Sequence, residues 1–351
     1  MEALALDDSP QTADRTDAGA AAPAAPAVRT EKELIAATRE YLAEDKLKSW
    51  SLLLTTLLVF GLLLALTARA TAWPVKLAGS VLAGLTIVRL FIFYHDYLHN
   101  AVFRGTKVLK PFFALFGLYV MATTKAWRES HNYHHAHTAK LIGSHVGSYA
   151  MVSVGMWKTM TPSQRRMYKM VRHPLTILGA YFTIFMLGMS ISPFLRAPKK
   201  HWDSALAVVL NFAIGGLIIA TVGFEAFFFV WFMPLAVAMM AGAYLFYAQH
   251  NFPDIDVQPR QTWTYGKAAL ESSSYMKTGP IMRWFTGNIG YHHVHHLNSM
   301  IPFYRLPEAM AGIPELQNPG TTSLSPKDIV ACFRLKLWDP ESGEMVGYPK
   351  D

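Results

Sequence analysis

Cysteine is almost missing from this sequence: Cys332 is the only one in 351 residues. A single thiol closes no disulfide within the chain and leaves no CxxC pair for zinc or an iron–sulfur cluster. Any bound metal must therefore be held by nitrogen and oxygen. Charge is also scarce, at 16% of residues against 52% hydrophobic, where an average soluble domain carries about 25% charged residues. That shortage points to a membrane class. The net charge of +8 is not arranged as a basic stripe interleaved with aromatics, so no nucleic-acid partner is expected. Basic loops beside membrane spans are the simpler reading. No haem-binding His-Pro-Gly-Gly stretch, no glycine-rich dinucleotide loop and no repeat of fixed period occurs.

What is present divides the chain into zones. Residues 1–30, rich in Ala, Pro, Asp and Thr, read as a disordered tail that lacks the basic-then-apolar order of a signal peptide. Residues 31–50 set Leu34, Ile35, Tyr41, Leu42 and Leu47 among charges, which predicts an amphipathic helix on a membrane surface. Residues 51–347 form the membrane domain, with predicted spans at 51–71, 75–94, 204–222 and 226–247. Each approaches the roughly 20 residues a crossing helix needs. Arg89 is expected to snorkel to an interface.

Residues 111–122 are apolar but too short to cross, and 174–195 are interrupted by Gly179, Gly188 and Pro193. Both read as re-entrant, dipping in and returning. Parity supports this, because histidine clusters on either side of the later spans serve one site only if an even number of crossings separates them. Residues 248–347 are polar enough for a cytoplasmic cap, in which Ser325 caps a helix starting at Pro326, with Asp328 completing a capping box. The expected fold is thus all-α and integral to the membrane: about four transmembrane helices, re-entrant or interfacial segments, and a helical cap on the cytoplasmic side.

Fourteen histidines are the conspicuous polar feature. His95 and His99 stand four apart at the end of an apolar helix, and positions four apart share a helix face. His131, His134 and His135 form an H-x2-H-H cluster, and His292, His295 and His296 repeat it. Two, three and three make eight imidazoles, too many for one ion and about right for two. Nitrogen ligands without thiolates suit iron, copper or zinc, and zinc has no redox chemistry. Asp96, Glu129 and Asp254 are candidates to orient the rings by accepting their free N–H groups. His137, His145 and His293 lie close to the clusters but off their spacing; His173 and His201 read as interface residues.

The order H-x3-H, H-x2-H-H and a distant H-x2-H-H resembles the membrane-bound fatty acid desaturases. The likeness extends to Trp127-Arg128-Glu129-Ser130, Arg172-His173-Pro174, Gln249-His250-Asn251-Phe252 and Gly287-Asn288-Ile289-Gly290-Tyr291, and to Leu297-Asn298 and Ile301-Pro302 after the last cluster. The three-residue gap of the first cluster and the leading His of the third look most like the acyl-lipid type acting at Δ12 or ω-3 positions. The resemblance implies a di-iron centre of two iron ions, with O2 as co-substrate, and a ninth ligand between the last span and the third cluster, where His250 stands. The family's Δ9 branch carries a water-linked Asn four residues before that ligand; this chain has Phe246.

It further implies a cis double bond placed in a fatty acyl chain carried by lipid, CoA or acyl carrier protein. A separate electron donor such as ferredoxin or cytochrome b5 would supply reducing equivalents. The protein would be multi-pass, in the cytoplasmic membrane of a bacterium or the endoplasmic reticulum of a eukaryote, with its site on the cytoplasmic side. An apolar tunnel would set the bond position, with Trp127, Tyr133, Trp284 and Phe285 as candidate walls. An acyl hydroxylase or carotenoid-modifying oxygenase would use the same histidines. A metal transporter or sensor would need polar groups at mid-membrane, and the apolar runs carry almost none.

Overall fold

A computed structural model describes residues 29–143 and 146–349. The tail expected over 1–30 lies outside the described residues but for its last two, and so does His145.

Four helices are long and apolar enough to cross a membrane: Lys46–Arg69, Trp73–Leu98, Trp202–Thr221 and Phe224–Gln249. Each starts where the local chemistry favours it. Asp45 caps the first by accepting from the amide of Lys48 at 3.0 Å, a carboxylate at a helix N-terminus. Pro74 stands in the first turn of the second, where its missing N–H costs nothing. Leu54, Leu58, Leu62 and Leu66, four apart, are all exposed, so one face of the first helix is an apolar stripe turned outward, as a bilayer requires. The second helix lies inside, with Ile87, Val88, Phe93 and Tyr94 buried. It touches the fourth so closely that a Cβ at Gly84 would stand 2.7 Å from the Pro234 carbonyl.

The two turns remote from the histidines meet where Lys76 pairs with Glu225 at 2.7 Å. The opposite ends deliver His95 and His250 together. Arg89 does not snorkel. It is 4% exposed, donates to Thr56 at 3.0 Å and to the Trp284 carbonyl, and lies 4.5 Å over the Trp284 ring. Backbone oxygen, hydroxyl and aromatic face replace the water that this cation gives up.

One segment takes a different form from the expected one. Residues 31–50 are not one helix lying on a surface. Glu31–Ala37 and the short Thr38–Tyr41 turn end before Asp45, and Lys46 onward belongs to the first long helix. The short pieces dock on the cap, where the Glu31 carboxylate accepts from the Gly266 amide at 2.9 Å and Arg305 donates to the Glu40 carbonyl at 3.0 Å. Residues 174–195, expected to dip in and return, run as abutting helical pieces, Pro174–Leu178, Tyr181–Ile191 with wide π turns, and Ser192–Arg196. Both flanks of the segment lie on the histidine side: Arg172 bonds Asn251, while Lys200 and His201 meet Glu129.

Leu109–Tyr119 is a short apolar helix, and the chain reverses at Met121, whose φ is 51°, into the Thr124–His137 helix that carries the second cluster. Beyond Gln249 the chain forms short helices and two small two-stranded pairs: Tyr275–Lys277 parallel to Thr321–Ser323, and Leu337–Asp339 antiparallel to Glu344–Val346. Ser325 caps the Pro326–Arg334 helix as its sequence suggests. Asp328 does not close a capping box; its carboxylate accepts from the Ser323 hydroxyl instead.

Candidate metal centre

Two histidine groups lie at the shared end of these helices. His95, His99, His131, His135 and His295 bring their ring nitrogens within 4.8 Å of one another, and so do His134, His250, His292 and His296. The split follows from helix geometry. At about 100° per residue, neighbours such as His134 and His135 diverge, whereas His131 and His135, four apart, converge. One face of the second cluster therefore does not serve one centre, as the spacing alone suggests. His131 and His135 go to the first group and His134 to the second. The third cluster mirrors this, with His292 and His296 together and His295 apart.

Within the groups the Nε2 atoms nearly touch. His131–His135 and His135–His295 are 3.1 Å apart. In the other group His250–His292 is 2.9 Å, His292–His296 and His134–His250 are 3.1 Å, and His134–His296 is 3.3 Å. Lone pairs gathered at such spacing suit a common cation, since ligand nitrogens about 2.1 Å from one centre stand roughly 3 Å from each other. The donor set is all imidazole, and these rings are kept neutral. Burial foremost, then the neighbouring histidines, holds His134, His135, His292, His295 and His296 well below their ordinary pKa. Burial brings His250 down to about 4. The residues fit a pair of metal ions.

The groups that orient the rings are only partly those expected. Asp96 is well placed: one carboxylate oxygen faces His95 Nδ1 at 2.9 Å and the other accepts from the Phe303 amide at 2.7 Å. Glu129 instead pairs with Lys200 at 2.6 Å and stands 3.6 Å from His201. Asp254 is exposed and bonds none of the rings. Other atoms face the rings instead. The Ser272 carbonyl takes His250 Nδ1 at 3.1 Å, and the Thr138 hydroxyl lies 3.2 Å from His296 Nδ1. A signal for Thr138 did exist, one turn beyond His134; a distant backbone carbonyl leaves none.

His137 and His293 join neither group. His137 stacks on Tyr133, with ring centroids 4.0 Å apart. His293 is fully buried with Nε2 at 3.0 Å from the Leu316 carbonyl, and burial lowers its pKa to about 4. His173 caps a helix by accepting from the Leu175 amide, and His201 is buried beside Glu129.

A cavity of about 720 Å³ opens beside the histidines, reaching His95, His131 and His292. Its walls are mostly apolar, including Ile87, Phe91, Ile184, Phe185, Met239 and Phe246. Trp127 and Tyr133 line it; Trp284 and Phe285 do not, because Trp284 is engaged with Arg89 on another face. The wide turns of Tyr181–Ile191 supply much of the wall, a part that composition alone did not assign to it.

Comparison with known proteins gives the same picture. Residues 71–323 match the family described as Fatty acid desaturase. A relative named Fatty acid desaturase from Bacillus subtilis is 29% identical over 87% of both chains. An sn-1 oleoyl-lipid 12-desaturase of Anabaena variabilis is 22% identical over 79% of each. An sn-1 acyl-lipid omega-3 desaturase (ferredoxin) of a Nostoc species is 24% identical over 73% of this chain and 72% of its own.

Proposed function

The chain belongs to the fatty acid desaturase family, and from that premise we propose that its nine clustered imidazoles hold two iron ions for O2-dependent insertion of a cis double bond into lipid-linked acyl chains. The observation that carries this reading is the meeting of two all-imidazole groups with one apolar cavity. A methylene has no acidic proton and no polar handle, so side chains alone cannot activate it and the hard chemistry belongs to the cofactor. Bound iron would supply the redox capacity to turn O2 into an oxidant for unactivated C–H bonds. Overall, two hydrogens leave adjacent carbons, two electrons and two protons enter, and O2 leaves as two molecules of water.

The chain's own residues bind, orient and exclude. The apolar walls around Phe91, Phe185 and Met239 accept an acyl chain and keep water away. His95, His131 and His292, which reach that cavity, bring the centre to the chain's reacting carbons. Asp96 fixes the His95 ring so that Nε2 faces inward. Electrons would come from a separate donor, ferredoxin or cytochrome b5; the Nostoc relative's name cites ferredoxin. Basic loops flanking the spans support a cytoplasmic position for the histidine end.

The test is lipid analysis of an expressing host by mass spectrometry, with iron measured on the purified protein. Loss of two hydrogens from long-chain acyl groups is the expected result. Gain of one oxygen would make the enzyme a hydroxylase, and two equivalents of a metal other than iron would refute the cofactor assignment.

A further inference from the structure

Two sequence stretches quoted for their family likeness, Arg172-His173-Pro174 and Gln249-His250-Asn251-Phe252, meet in space and have no part yet in the chemistry. Arg172 follows the Pro162–Val171 helix and is 1% exposed. Its guanidinium donates to the Ala150 carbonyl at 2.9 Å and to the Asn251 side-chain oxygen. It lies between the rings of Tyr168 and Tyr247, 5.6 Å and 5.4 Å from their centroids. No carboxylate pairs with it among the described residues. A buried cation without a counter-ion is costly, so the site must extract something from a planar fork that a neutral residue would not give.

What the fork grips is the residue after His250. Asn251 in turn donates to the carbonyls of Cys332 at 2.6 Å and Leu335 at 3.3 Å. Its neighbours are tied elsewhere: Gln249 donates to the Ile289 carbonyl at 2.8 Å, and His250 Nδ1 faces the Ser272 carbonyl at 3.1 Å. Three consecutive residues at the end of the last long helix are thus pinned to three separate segments. A small cavity of about 20 Å³, lined by Arg172, Asn251, Tyr149, Tyr247 and His250, adjoins them. His250 is the one member of its group outside the regular turns of the H-x2-H-H helices; the other three, His134, His292 and His296, sit on rigid helical repeats.

We propose that Arg172 is a positioning residue for His250: acting through Asn251, it locks the end of the last long helix so that His250 completes the four-histidine group. This rests on the reading that each histidine group holds one ion. The five-histidine group, whose rings all come from other segments, does not depend on it.

The experiment compares the full-length wild-type protein with Arg172→Lys, Asn251→Ala and Asn251→Asp in detergent. Iron per chain, the affinity of each iron, the iron-centre spectrum and thermal stability with iron removed are recorded. Arg172→Lys keeps the charge but loses the fork, and Asn251→Ala loses the grip. Both are expected to hold one iron as tightly as wild type and the second roughly ten- to hundredfold more weakly, the usual cost of losing an outer partner of a ligand, with half the spectrum unchanged. Asn251→Asp, whose carboxylate the guanidinium still grips although the bonds to the Cys332 and Leu335 carbonyls are lost, is expected to keep both, because the locking is assigned to Arg172. Retention of two irons with an unaltered spectrum in both Arg172→Lys and Asn251→Ala would overturn the proposal. Parallel loss of both irons with the thermal midpoint would overturn it too, reducing Arg172 to a general stabiliser. If wild-type protein itself binds fewer than two irons, the two-ion reading has failed before the variants are compared.

Discussion

At the scale of single residues, the outcome of a substitution depends on which group a ring joins. His134 and His295 belong to different groups although both come from H-x2-H-H clusters. His134→Ala or His295→Ala is expected to abolish turnover while the protein still inserts in the membrane; turnover in either would remove that histidine from the ligand set. Asp96→Asn is expected to weaken metal binding by roughly ten- to hundredfold, because the carboxylate that orients His95 is lost. Asp254→Asn, out in solvent, should bind metal as wild type does, and titration with iron separates the two. Acid provides a further check. Burial holds His250 and His293 at about 4 in the folded protein, whereas an unfolded histidine titrates near 6.5. Between those values the unfolded chain binds protons that the folded chain refuses, so folding stability falls as pH drops. The thermal midpoint of iron-free protein should be level above about pH 6.5 and decline steadily towards pH 4.

At the scale of elements, the cavity is shaped mainly by helices, with the 146–149 loop closing part of it. Gly242, on the last long helix, lines it, and a Cβ there would meet nothing within 4 Å. Gly242→Phe should therefore put its ring into the cavity without displacing its neighbours. The expected result is a product profile moved to shorter acyl chains or another bond position, at unchanged iron content. An unchanged profile, read by gas chromatography of the acyl groups, would mean that the chain lies elsewhere. The helices themselves were readable because four long apolar runs have only one stable solution in a bilayer. Residues 174–195 were harder, since glycine and proline mark an interruption without showing that helical turns continue through it in widened form. The middle of the segment packs on the last long helix, as where Tyr181 meets Phe232 with centroids 5.2 Å apart, while both flanks lie on the histidine side.

At the scale of the whole molecule, a net charge of +8, with Lys125, Arg128 and Lys199 exposed on the segments that flank Glu129, is expected to steer an acidic donor by long-range attraction. Raising salt from low to physiological strength is expected to raise the KM for such a donor severalfold, because the screening length contracts to about 8 Å. Turnover driven by a small uncharged reductant should not change; a donor KM indifferent to salt would rule the steering out.

The same scale shows what sequence alone determined about this protein. Spacing sufficed for the eight cluster histidines, the absence of thiolate ligands and the four long helices, because local periodicity and composition dictate these whatever the rest of the chain does. Local helix geometry separates neighbours such as His295 and His296, but tertiary structure alone decided which rings from other helices each one joins. It alone exposed Asp254, buried Arg89 against Trp284, and turned the Ser272 carbonyl towards His250. These are contacts between residues distant in the chain, and only the packing of whole elements determines which polar atom finds which partner.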